Sequence, residues 1–120
     1  MHTDAIRENL IPDFVSKEQA QMIYTNEADL LNVALFGITA QEWKKQNPHF
    51  DGTIRDQATL EQLVVLSNME SINALLIQQN RCSEDRILQL NQVAISQMKS
   101  LLTGKRLKGI CNPASDVPIY

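Results

Sequence analysis

The sequence predicts an all-α protein in which several short N-terminal helices pack on a long antiparallel helical hairpin. Three observations carry that expectation: paired helix-start residues recur along the chain, the second half holds two long segments with apolar residues at helical spacing, and no strand-like alternation occurs. The interior must be built from Leu, Ile, Val, Ala and Met, because 43% of the 120 residues are hydrophobic while aromatics are only 5%. The four Gly and four Pro fall between apolar runs, and a chain of this length fits one domain whose core needs no disulfide or metal.

In order along the chain, Ser16 with Gln19, Thr39 with Glu42 and Thr59 with Gln62 each place a hydroxyl where it can accept an unpaired helix N–H. The residue three positions on can bond back. Thr53 with Asp56 predicts a further start, with an acid too short for the full arrangement. Asn26 or Thr25 is expected to cap the helix over "EADLLNVALF", and Ser83 the last helix, where Glu84 and Asp85 set negative charge at the positive end of its dipole. Gly37, Pro48 and Gly104 stand where helices should stop. Leu30, Leu31, Val33, Ala34, Leu35 and Phe36 crowd more than one helical face, so this short helix should be buried on several sides. Gly37 then supplies a left-handed turn, and Trp43 is expected to pack back on Phe36 or Leu35.

Residues 60–79 and 84–102 are separated by "NRCS", a link short enough to make them an antiparallel hairpin. The predicted inward stripe of the first is Leu60, Leu63, Val64, Ile72, Leu75 and Leu76; that of the second is Ile87, Leu90, Ala94, Met98, Leu101 and Leu102. The Asn- and Gln-rich remainder, Asn73 and Asn91 included, reads as solvated or partner-facing surface. Val65, Leu66, Met69 and Ile77 lie off the first stripe and need another surface, so they form the predicted association face of a homodimer. The domain layout is then a helical accessory domain over 1–103 and a basic, irregular tail over 104–120.

Net charge is −3, which disfavours a uniformly basic surface, yet from Lys99 onward four basic residues stand against Asp116, giving +3 and leaving −6 on residues 1–98. Lys105, Arg106 and Lys108 are the candidate nucleic-acid contacts; the same charges at a helix C-terminus also complement its dipole. Cys82 and Cys111 lack metal-ligand spacing and read as free thiols of a cytoplasmic protein. No apolar run reaches membrane-spanning length, and the N-terminus lacks the form of a secretion signal. His2 at the terminus and His49 in the "NPHFDG" turn converge with no other ligands, and Glu27 and Asp29 serve the positive end of their helix. With no nucleophile, phosphate-loop or metal motif, the expectation is a non-enzyme without cofactor, metal or small-molecule substrate.

Together "HTDAIRENLIP", "YTNEADLLNVALFGITAQEWKKQNP", "GTIRDQATLEQLVVLSNMESINALLI" and "RILQLNQVAISQMKSLL" resemble the region that follows the KilA-N domain in bacterial KilA-N domain-containing proteins. Those proteins are related to phage antirepressors and phage regulatory proteins. The likeness runs from about His2 to Leu102, and "EADLLNVALFG" is also similar to the later part of DNA-damage-inducible protein D. The resemblance implies an accessory or self-association region of a phage-derived DNA-binding regulator, whose DNA contacts belong to the KilA-N domain absent from this chain. Direct contact through the basic tail, which lies outside the resemblance, is the alternative.

Overall fold

The computed structural model describes residues 10–107 along the backbone, with side chains as far as Thr103. The described residues form five α-helices and one 3-10 turn: α1 (Lys17–Gln21), α2 (Glu27–Phe36), α3 (Ala40–Gln46), the turn Ile54–Gln57, α4 (Leu60–Gln78) and α5 (Ser83–Leu107). The predicted class holds, with short helices packed on a long antiparallel hairpin.

Local chemistry sets most of the boundaries. The hydroxyls of Ser16, Thr39 and Thr59 accept the N–H three residues on at 3.0 to 3.1 Å, and Gln19, Glu42 and Gln62 each accept the cap residue's N–H at 2.9 Å. Asn26, rather than Thr25, caps α2 by accepting the Asp29 N–H at 2.8 Å. Such caps contribute about 1 kcal/mol each. Asp56 accepts the Thr53 N–H at 2.7 Å but opens only the 3-10 turn. Gly37 ends α2 at φ 85°, donating its N–H to the Val33 carbonyl, so the predicted left-handed turn is present. The link between α4 and α5 is closed similarly by Asn80 at φ 62°. The Asn80 N–H donates to the Ile77 carbonyl at 2.9 Å, and that of Arg81 to the Leu76 carbonyl at 3.1 Å.

Two expectations at the ends of α5 need correction. The Cys82 carbonyl accepts the Arg86 N–H at 2.9 Å, so Cys82 precedes the helix and Ser83 is its first residue. Gly104 does not stop the helix, which continues to Leu107. An interior glycine costs about 1 kcal/mol without removing a hydrogen bond, and that is not enough to end an established helix. Helix thus enters the segment predicted as irregular tail, whose residues 108–120 lie outside the described residues.

Helix α5 is central and touches α4, α2 and α1. Its predicted stripe is inward: Ile87, Leu90, Ala94 and Met98 are fully buried, and Leu101 and Leu102 pack against the same core. Every residue from Leu30 to Leu35 of α2 is buried, as its crowded apolar faces predicted. Trp43 pairs its ring with Phe50, with centroids 6.0 Å apart and planes tilted by 37°, and it lines one concavity together with Phe36.

Helix α4 is turned by roughly a third of a revolution from its predicted orientation; of its predicted stripe, Leu76 is buried and Ile72 packs against the core as expected. Val65, Leu66 and Met69, expected to face a partner, are fully buried in the chain's own core, while Leu60, Leu63, Val64 and Leu75, expected inside, are exposed. Of the predicted association face only Ile77 reaches solvent. The physical reason is that α4 is apolar on both sides, so spacing alone cannot choose between them. Polar contacts make the choice. Asn73 lies on the Val65, Leu66, Met69 and Leu76 side and is buried against Arg86 and Glu27, so its expected place on the polar face is also overturned.

Candidate functional site

At 100° per residue, Leu60, Leu63, Val64, Ser67, Ser71, Ala74, Leu75 and Gln78 fall within one arc of about 120° on α4, opposite the buried Met69. All eight are exposed and none is charged. Leu60 is 73% exposed and Leu75 52%. A helix face turned to water is ordinarily polar and charged, so a neutral face with leucine or valine toward each end is an unusual helix surface among the described residues. Its middle is built of small residues. Its edges are fixed within the chain: Arg55 Nη2 donates to Glu70 Oε2 at 2.9 Å, and Asn68 Nδ2 donates to Gln97 Oε1 at 2.8 Å across the hairpin.

What holds this face outward is a network on the other side of α4. Arg86 Nη1 donates to Glu27 Oε1 at 2.6 Å and to Asn73 Oδ1 at 2.8 Å, while Nη2 donates to Glu27 Oε2 at 3.2 Å. Its Nε donates to the Arg81 carbonyl at 3.2 Å, and Asn73 Nδ2 donates to Glu27 Oε1 at 2.9 Å. The Arg86 side chain is 10% exposed against 51% for Glu27, so the pair has one buried and one hydrated end. The hydrogen bond from Arg86, with a smaller contribution from that of Asn73, holds the Glu27 carboxyl below its usual range against the opposing effect of burial. Three helices are tied at one point, and a rotation of α4 would withdraw Asn73 from it.

Asn91 does similar work for the N-terminal segment. Its Nδ2 donates to the Asp13 and Ala34 carbonyls at 2.9 Å, and its Oδ1 accepts the Val15 N–H at 2.9 Å, so this buried residue is not the surface group its composition suggested. Sequence reading placed Glu27 only at a helix end and gave Arg86 no role. A usable signal was present in α4, where Asn73 continues the 3–4 spacing of Leu66, Met69 and Leu76 and is therefore a polar residue on an apolar face.

A concavity of about 380 Å³ lies beside Trp43, with Leu10, Phe36, Ile38 and Ile54 in its walls and Gln62 among its polar lining. No ionisable side chain lines it, so it offers contact to a neutral apolar group and no acid–base chemistry. Lys105 and Arg106 fall on the last turn of α5, and Lys108 lies outside the described residues, as do His2 and Cys111. His49 is exposed in the turn after α3, and Cys82 is an exposed free thiol at the hairpin link. Among the described residues, no three His, Cys, Asp or Glu side chains gather as metal ligands, and no helix is long and apolar enough to cross a membrane. Comparison with protein-family models, with curated proteins and with solved structures gives no match.

Proposed function

We propose that this chain is a non-catalytic association domain of a cytoplasmic, phage-derived regulator of the KilA-N type, and that it works through the outer face of α4. The carrying observation is that eight-residue face, exposed and without a charge, on a helix whose opposite side already fills the core. Burying such a face gains the hydrophobic free energy without stranding a charge, which is what an interaction surface requires. The sequence resemblance supplies the kind of protein it serves: DNA contact belongs to a separate KilA-N domain, and the helical domain brings that regulator to its partner.

The reading is tested by joining a KilA-N domain in frame to this chain and measuring repression of its operator in the native host, with Val64→Asp and Leu75→Asp introduced together. Repression should fall to the level of the isolated KilA-N domain, since two charges would be buried at the contact. Undiminished repression by the doubly charged variant would refute the role of this face.

A further inference from the structure

We infer that the occupant of the α4 face is a second copy of the chain, laid antiparallel so that α4 packs on α4 about a two-fold axis level with Met69. The inference rests on the association reading above and adds the partner's identity and direction. Three observations lead to it.

The first is area. The large apolar residues of the arc, Leu60, Leu63, Val64 and Leu75, are 73%, 38%, 43% and 52% exposed. Together that is on the order of 400 Å² of apolar surface per copy, the size of the largest apolar patch of an ordinary monomer, which is often functional. Two copies bring about 800 Å², and since interfaces are about 60% apolar the whole contact would bury about 1,300 Å², within the range of stable dimers.

Charge is the second. A nucleic acid or a charged peptide would find no counter-charge on the eight residues of the arc. A second copy brings an equally neutral surface. Glu70, at the edge and close to the axis, is already paired with Arg55 at 2.9 Å, so two such residues meet as neutralised pairs.

The third is the order of side-chain sizes. Bulk is concentrated in Leu60, Leu63 and Val64 at one end and in Leu75 and Ile77 at the other, with Ser67, Ser71 and Ala74 between. In a parallel pair every bulky residue would meet its own copy, holding the helices apart, while the small residues faced one another across the gap. In the antiparallel pair Val64 lies against Leu75 of the second copy, Leu63 settles over Ala74 of the second copy beside its Ile77, and Ser67 faces Ser71. The helix dipoles then oppose, and the isologous contact closes at two chains.

The test uses the full chain with Cys82→Ser and Cys111→Ser, in which Val64→Cys and Leu75→Cys are made separately. Both sites are exposed, and circular dichroism would confirm the fold. Mixed and oxidised, the two variants should form a disulfide-linked dimer. Each alone should not, because Val64 would lie about 15 Å along the helix axis from its own copy. Light scattering of the unmodified chain at tens of micromolar should give twice the 13.6 kDa chain mass, and Val64→Asp should weaken the dimer at least tenfold. Cross-linking of Val64→Cys alone would mean a parallel dimer and overturn the inference while leaving association in place. A monomer whose regulator still loses repression on charging the face would assign the face to another protein. Dimerisation appearing only after removal of residues 108–120 would assign it to the chain's own terminus. Either result overturns the second copy, and a monomer with unaffected repression overturns both readings.

Discussion

Removing Glu27 should destabilise the protein more than removing Arg86, although both changes break the same ion pair. Glu27→Ala leaves a guanidinium that is 10% exposed, with the Asn73 and Arg81 oxygens as its remaining acceptors. Breaking a fully buried pair costs about 3–5 kcal/mol; because the lost carboxylate is 51% exposed and partly screened, about 2–3 kcal/mol is the expected loss here. Arg86→Met leaves the opposite situation. The residual charge can hydrate, methionine fills much of the vacated apolar volume, and the expected cost falls to about 1–2 kcal/mol for acceptors left without their donor. Urea unfolding with unchanged m-values would measure both. The double variant should be more stable than Glu27→Ala alone, because it no longer carries the stranded charge. If Arg86→Met proves the costlier change, or the double variant gains nothing over Glu27→Ala, the charge-burial argument fails. The same pair fixes a pH dependence. Since the folded state depresses the Glu27 pKa, its stabilisation is present above the unfolded-state value and is lost as pH falls through the folded one. Wild type should therefore lose stability on acidification below the ordinary carboxylate range faster than Glu27→Gln, and parallel pH profiles would contradict this.

Three further outcomes follow from the packing. Met69→Ala should cost about 2–5 kcal/mol and Leu60→Ala less than about 0.5 kcal/mol in the monomer, the first being fully buried and the second 73% exposed; equal costs in thermal or urea melts would return α4 to its sequence-predicted orientation. Gly37→Val should lose about 1–2 kcal/mol, because φ is 85° although no atom lies within 4 Å of the new Cβ, and Gly37→Asn should lose much less; similar melting of the two variants would remove the backbone-strain account. Asn91→Leu should cost about 2–4 kcal/mol by orphaning the Asp13 and Ala34 carbonyls and the Val15 N–H, and hydrogen exchange at Val15 should rise with it; unchanged protection there would show that Asn91 does not anchor that segment.

The features legible in the sequence are those whose cause lies within a few residues. Ser16, Thr39 and Thr59 bond to backbone three positions away, and Gly37 turns the chain because it lacks a Cβ. Helix α5 was equally readable, since only one of its sides is continuously apolar and Ile87, Leu90, Ala94 and Met98 must go inward. Helix α4 was not, because Leu60, Val64 and Leu75 offer a second apolar side that competes with Val65, Leu66 and Met69. Tertiary structure decided between them through Asn73, whose partners Glu27 and Arg86 stand 46 and 13 residues away, and through Arg86 itself, 59 residues from Glu27. A buried polar group can be satisfied in few places, so those long-range hydrogen bonds fix the rotation of α4 where apolar spacing leaves it free. That rotation puts the neutral face outward.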